Sequence, residues 1–173
     1  MKTIRLNTSL LKKCRKIKLL LIDVDGVLTD GGMYYTNKGD TMKKFQTIDG
    51  MGVTLLRKNK IPTIIVTKEK TAIVRRWASK MKVKTYDGIR NKELIIDRIC
   101  KEFKVSDIEM AYIGDDINDL ELMKRVGFSA TPKNGIKEAK KIADYVCKLK
   151  GGEGAVREVA DLILTIKFPN KNK

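Results

Sequence analysis

The chain has no histidine, and only three prolines and three cysteines among its 173 residues. Without histidine, Ser–His–Asp and Cys–His catalysis and histidine-ligated metals are excluded. Proton transfer must then fall to carboxylates, lysine, tyrosine or water. Cys14, Cys100 and Cys147 are odd in number, widely spaced and form no CxxC. That is the pattern of reduced thiols used in packing, not of a disulfide framework or a zinc site. Long apolar runs are also missing. The longest, Leu19 to Ile22, falls far short of the roughly 18 residues a membrane span needs. The basic amino terminus lacks the apolar stretch and cleavage site of a signal peptide, so a cytoplasmic address is expected.

Positive charge is in excess: 37 basic against 21 acidic residues, a net +16. Nucleic acid is the first partner such a charge brings to mind. The basic residues are spread along the whole chain, however, and no zinc-finger or RNA-binding signature accompanies them. Aromatics to stack on bases are few: five tyrosines, four phenylalanines and one tryptophan. A small substrate carrying phosphate and carboxylate answers the same field. Neither nucleic acid nor membrane is the expected partner.

Apolar periodicity divides the chain into a basic lead-in (1–16), with Leu10 and Leu11 on a possible short helix, one domain (17–167) and a flexible tail (168–173). Buried-strand patterns fall at 16–23, 61–67, 82–86, 109–114 and 127–130. Helical patterns fall between them, over 50–60, 70–80, 91–103, 118–125, 136–142 and 154–166. On the second of these helices Ile73, Val74 and Trp77 share a face; on the third, Leu94, Ile95, Ile99 and Phe103 do. Strand–helix alternation predicts an α/β fold: a Rossmannoid parallel sheet with helices on both faces and no cap domain. One segment breaks the rhythm. Residues 32–36 and 41–45 flank Asn37-Lys38-Gly39-Asp40, which reads as a β-hairpin flap over the carboxyl ends of the strands.

Polar residues gather at those strand ends. The first strand ends in Asp23-Val24-Asp25-Gly26, and in extended geometry residues 23 and 25 point to one side. Thr67 ends the second strand, Lys92 follows the third, and Gly114-Asp115-Asp116-Ile117-Asn118-Asp119 ends the fourth. A crevice so lined suits Mg2+, which prefers oxygen ligands. Thr67 and Lys92 suit the oxygens of a phosphoryl group. One acid can attack phosphorus, and another can protonate the leaving oxygen and then activate water. A phosphorylated receiver domain also pairs acids after its first strand, but its order of acid, threonine and lysine differs from this one.

At these residues the chain resembles the haloacid dehalogenase superfamily. Within it, the resemblance is to the capless 3-deoxy-D-manno-octulosonate 8-phosphate phosphatases and their relatives acting on nine-carbon sugar-acid 9-phosphates. It spans about residues 17–165 and rests on DVDGVLTDG, KKFQTIDGMG, EKTAIVRR, AYIGDDIND and GGEGAVREV. The resemblance implies Asp23 as nucleophile and Mg2+ ligand, and Asp25 as acid/base that also binds the metal through its backbone carbonyl. Asp115 is implied as the third protein ligand, and Asp119 as the acid behind them that orients a water on the metal. It further implies Thr67 and Lys92 on the phosphoryl group, with Thr47, Asp49, Glu69 and Asn118 along the substrate pocket. Arg75, Arg76 and Lys80 become candidates for the substrate carboxylate. Such relatives form homotetramers in which hairpin and tail close a neighbour's site, with Lys150–Gly154 as the tail contact here. Lys68 departs from the usual glycine after the motif threonine, and Trp77 from an arginine of the nine-carbon branch. The expected activity is Mg2+-dependent hydrolysis of the terminal phosphate of an eight- or nine-carbon 2-keto-3-deoxy sugar acid. A broad small-molecule phosphatase and a non-catalytic assembly module of a sugar-activating enzyme are the alternatives.

Overall fold

The computed structural model describes residues 8–169. From the amino end the chain runs through α1 (Thr8–Lys16), β1 (Leu19–Ile22), β2 (Tyr34–Thr36), β3 (Gly39–Met42) and α2 (Thr47–Lys58). It continues through β4 (Thr63–Val66), α3 (Ala72–Met81), β5 (Lys84–Tyr86), α4 (Ile96–Phe103) and β6 (Met110–Ile113). The last elements are α5 (Leu120–Arg125), β7 (Phe128–Thr131), α6 (Lys137–Ile142), β8 (Tyr145–Val146) and α7 (Ala155–Lys167). Six strands form one parallel sheet in the order β5-β4-β1-β6-β7-β8. The chain builds outward from β1 on one side, then returns to build outward from β6 on the other. The order therefore reverses between β1 and β6, where open α/β sheets bind ligands.

Alternation along the strands makes two cores. Leu20, Ile22, Ile65, Ala111 and Ile113 face one side and pack under α1, α2, α3 and α7, against Val53, Leu56, Val74, Val159 and Ile163. Leu19, Leu21, Ile64, Val66, Met110 and Tyr112 face the other, against Ile96 and Ile99 of α4 and Leu122 and Met123 of α5. Full burial of each such aliphatic side chain contributes about 1.5–3 kcal/mol. The first core crosses the boundary expected at residue 17. Leu10 and Cys14 of α1 lie inside it, so the lead-in is part of the packed unit over its described length. The expected tail lies outside the described residues from 170 onward.

Three local readings need correction. The helix expected over 91–103 opens as a 3-10 turn, Lys92–Ile95, before α4, and this turns Leu94 to solvent at 69% exposure while Ile96 goes inward. The cause is Lys92, whose side chain is drawn wholly inside by two carboxylates. The hairpin turn is shorter than expected, since Thr36 Oγ1 takes the Lys38 N–H at 3.2 Å and closes the turn two residues early, leaving Gly39 and Asp40 in β3. A sixth strand, β8, was not expected: two residues are too few for a periodic signal. Among the described residues no helix is long and apolar enough to cross a membrane.

Candidate active site

The loop after β1 turns at once. The Val24 carbonyl accepts the N–H groups of Val27, Leu28 and Thr29 at 2.9 to 3.2 Å, so the chain leaves extended geometry directly after Asp23. Residues 23 and 25 therefore do not share a strand face as expected. Each carboxylate finds its own partner. Gly26 carries the turn at φ +83°, and a Cβ there would stand 2.0 Å from Asp115 Oδ2. Glycine is thus required twice over, by backbone angle and by close approach.

The buried centre is a charge network. Lys92 is fully buried and its Nζ lies 2.7 Å from Asp23 Oδ1 and 2.6 Å from Asp119 Oδ1. Asp119 Oδ2 accepts the backbone N–H groups of Asp115 at 2.8 Å and Asp116 at 3.1 Å, folding the loop after β6 around itself. Tyr112 donates its hydroxyl to Asp119 Oδ1 at 2.6 Å. One carboxylate oxygen each from Asp23, Asp115 and Asp119 lie within 4.8 Å of one another. Burial pushes the Asp23 carboxyl up to about 7, with Lys92 opposing and Asp119 adding. Burial, then the Asp23 and Asp119 carboxylates, push Asp115 up to about 8. Burial pulls Lys92 down, but Asp23 and Asp119 outweigh it and hold its ammonium above the usual value.

These acids are short of positive charge. Asp115 Oδ1 is buried with no hydrogen-bond partner among the described residues, which is costly for an ionised oxygen. A hard divalent cation fits this all-oxygen donor set, and by its charge it would restore both raised carboxyls to their ionised form.

Over the network lies a cavity of about 410 Å3, lined by Asp23, Asp25, Thr67, Lys68, Glu69, Asp115, Asp116, Ile117 and Asn118. Thr67 is buried at the end of β4, its hydroxyl accepting the Glu69 N–H at 3.3 Å. Asp25 turns to Lys43, which the sequence reading missed. The Lys43 side chain is nearly buried, with Nζ 2.6 Å from Asp25 Oδ1 and 3.7 Å from Asp40 Oδ2. It ties the exit of the hairpin to the crevice. Its only sequence signal was its place after the hairpin, among many lysines.

Five expected pocket residues stand elsewhere. Asp49 is wholly buried and accepts the Arg157 N–H at 2.8 Å, holding the first turn of α7 instead of facing the cavity. Burial raises its carboxyl to about 6. Thr47 and Lys80 line a separate groove of about 320 Å3, beside Phe45 and Trp77, whose rings stack at 5.1 Å. Arg75 points to solvent and pairs with Asp87 at 2.6 Å. Arg76 lines a further groove beside Trp77, with Lys43 and Lys80.

The glycines of 150–154 do permit close approach, and within this chain. Gly151 gives its N–H to Asn134 Oδ1 at 2.7 Å, Asn134 gives its amide to the Gly26 carbonyl at 3.2 Å, and Gly152 N–H meets the Val27 carbonyl at 3.1 Å. A Cβ on Gly151 would stand 1.8 Å from the Gly26 oxygen. The segment therefore braces the loop that carries Asp25.

Residues 67–159 match the sequence profile of haloacid dehalogenase-like hydrolases. The 3-deoxy-D-manno-octulosonate 8-phosphate phosphatase of Salmonella typhi is 36% identical over 159 residues, covering 91% of this chain and 85% of that protein. Among solved structures, the enzyme of that name from Moraxella catarrhalis, in complex with magnesium ion, phosphate ion and KDO, superposes with a TM-score of 0.88 at 34% identity, covering 91% of each chain. The cobalt-bound deoxy-D-mannose-octulosonate 8-phosphate phosphatase of Haemophilus influenzae gives 0.87 at 33% identity, covering 90% of this chain and 91% of that one.

Proposed function

We propose, from the premise that this chain belongs to the haloacid dehalogenase-like hydrolases of the 3-deoxy-D-manno-octulosonate 8-phosphate phosphatase family and is a phosphoric monoester hydrolase, that its substrate is the 8-phosphate of that eight-carbon sugar acid. The observation that carries the reading is the gathering of Asp23, Asp115 and Asp119 oxygens within 4.8 Å, bridged by Lys92 below a 410 Å3 cavity. The relatives described above are named for the eight-carbon substrate, which favours it over a nine-carbon one.

Asp23, Asp115 and the Asp25 backbone carbonyl would hold Mg2+, which supplies charge neutralisation at the transferring phosphoryl group. Asp23 attacks phosphorus; the P–O bond to the sugar breaks, and Asp25 gives its proton to the departing alkoxide. An aspartyl-phosphate is left on Asp23. Asp25, now ionised, takes a proton from water as that water attacks the same phosphorus, releasing phosphate and restoring Asp23. Lys92 and Thr67 steady the phosphoryl oxygens. Asp119 keeps Lys92 and the Asp115 loop in place. Glu69 and Asn118, which line the cavity, would meet the sugar.

We also propose a homotetramer. The hairpin and the start of α2 expose Met33, Tyr34, Tyr35, Met42, Ile48 and Met51, an apolar surface a second copy would cover. In such an assembly a neighbour's groove around Trp77, Arg76 and Lys80 could meet the substrate carboxylate.

The test is phosphate release from a panel of eight- and nine-carbon sugar-acid phosphates and simple monoesters, with and without Mg2+, beside light scattering for mass. The expected result is Mg2+-dependent release with the eight-carbon substrate preferred by kcat/KM. Equal rates on generic monoesters would leave only a broad phosphatase of this fold.

A further inference from the structure

We infer that Tyr112 is a positioning residue for the phosphoryl-transfer site, acting through Asp119 to set where the Lys92 ammonium and the Asp115 loop stand. The inference rests on the proposed reaction. It starts from a count of donors and acceptors. Asp119 is wholly buried and its two oxygens receive four donors: Lys92 and Tyr112 on Oδ1, each at 2.6 Å, and the amides of Asp115 and Asp116 on Oδ2. The carboxylate is saturated, which is how a buried charge is tolerated.

An ammonium has three protons to give. Lys92 spends one on Asp23 at 2.7 Å and one on Asp119 at 2.6 Å. Its third donor bond goes to the Tyr112 oxygen at 3.3 Å, the longest of the three, so this is the proton most readily turned to a phosphoryl oxygen. Tyr112 matters because it shares Asp119 Oδ1 with Lys92. Remove the hydroxyl and Oδ1 has one donor where it had two. The ammonium is then drawn toward Asp119, away from Asp23 and the cavity, and the carboxylate loses the contact that fixes its tilt under the amides of 115 and 116. The phenol is dependable as a donor: burial first, and then the Asp119 and Asp23 charges, hold its proton well above the ordinary tyrosine range. The ring sits on β6, packed in the second core beside Leu19, Leu21 and Ile96. Strand and core thus fix the hydroxyl from behind while it acts at the strand end.

Tyr112→Phe removes one oxygen and keeps the ring. The expected result is kcat lowered about 10-fold with KM for the sugar phosphate within about two-fold. Mn2+ binding without substrate, read by electron paramagnetic resonance, should weaken about 10-fold, the lower end of what loss of an outer hydrogen-bond partner does at metal sites. Because the effect passes through Asp119, the double variant Tyr112→Phe/Asp119→Asn should be no worse than Asp119→Asn alone. Wild-type kcat and Mn2+ affinity in Tyr112→Phe would overturn the inference, as would effects that multiply in the double variant. Loss of the fold in Tyr112→Phe would overturn it too, because the hydroxyl would then be holding the core. Should the wild-type protein release no phosphate from the panel, the proposed reaction fails, while the Mn2+ affinities of the two proteins still decide this point.

Discussion

The crevice has two walls built on opposite terms. One is buried: Asp23, Lys92, Tyr112 and Asp119 interlock below the solvent, each charge answered by a named partner. The other is exposed: the hairpin, Lys68, Glu69 and the outer face of α3 carry tyrosine, methionine and unburied charge. Phosphoryl transfer needs fixed dipoles around a single phosphorus, which a packed interior supplies. Recognition of a particular sugar needs surface that can differ between relatives. The two walls divide that labour, and they predict different responses to substitution.

The largest effect should come from the buried wall. Asp23→Asn leaves a side chain of the same shape that cannot form an acyl phosphate, and turnover should fall by about 10,000-fold or more. Circular dichroism should show the fold intact. Retained phosphate release would remove Asp23 from the chemistry.

Next in size is Lys92→Ala. Asp23 and Asp119 would face each other across the space left, buried and with no cation between them. Breaking a buried pair from one side costs about 3–5 kcal/mol. Urea unfolding without metal should show a loss of that order, with activity down as well. If only activity fell, the network would be catalytic without being structural.

How much of this was legible before the fold was known follows the same division. Asp23, Thr67 and the acids of 114–119 sit at strand ends, and strands with continuous apolar runs announce their ends; Lys92 stands six residues past β5 and was legible only by its order among them. Lys43 and Tyr112 carry no such mark. One is a lysine among many, and the other an apolar-looking member of a buried strand; only the third dimension shows the carboxylate at each tip. Asp49 misled for the converse reason. The resemblance alone implied it as a pocket residue, whereas its partner here, the amino end of α7, lies 108 residues away in sequence. Leu94 misled because a charge beneath it, Lys92, overrode the helical period.

A third prediction joins the walls through pH. Asp23 and Asp115, raised to about 7 and about 8, hold protons in the folded metal-free protein that the unfolded chain releases near the ordinary 3.8. Stability from these groups is full below about pH 4 and is lost as pH rises through 7 and 8. The metal-free thermal midpoint should therefore decline between about pH 5 and 8. Mg2+ binds the ionised forms, so the rise in midpoint on adding it should be larger at pH 8 than at pH 5. A Mg2+ effect that shrinks with rising pH would contradict the assignment of these acids as its ligands.

Lys43→Ala probes the seam between the walls and should act more weakly, lowering kcat about 10-fold by releasing Asp25 from its orienting partner. Stability should change by no more than about 1 kcal/mol, since the Asp25 carboxylate is 35% exposed and water takes up much of the lost contact. A change in KM alone would assign Lys43 to the substrate and not to Asp25.

The smallest effect should come from Arg75→Ala. Its guanidinium is spent on Asp87 at an exposed site with 60% of the side chain in solvent, where water screens the pair and its loss is little felt. In the isolated subunit it faces away from the 410 Å3 cavity, so kcat/KM on the eight-carbon phosphate should stay within about two-fold of wild type. Lys80→Ala makes the informative contrast, because Lys80 lines the groove beside Trp77 that a neighbouring subunit could present to the substrate. If Arg75→Ala raised KM strongly while Lys80→Ala did not, the exposed wall would recognise the substrate through the Asp87 side of α3, and the groove at Trp77 would have no part in choosing the sugar.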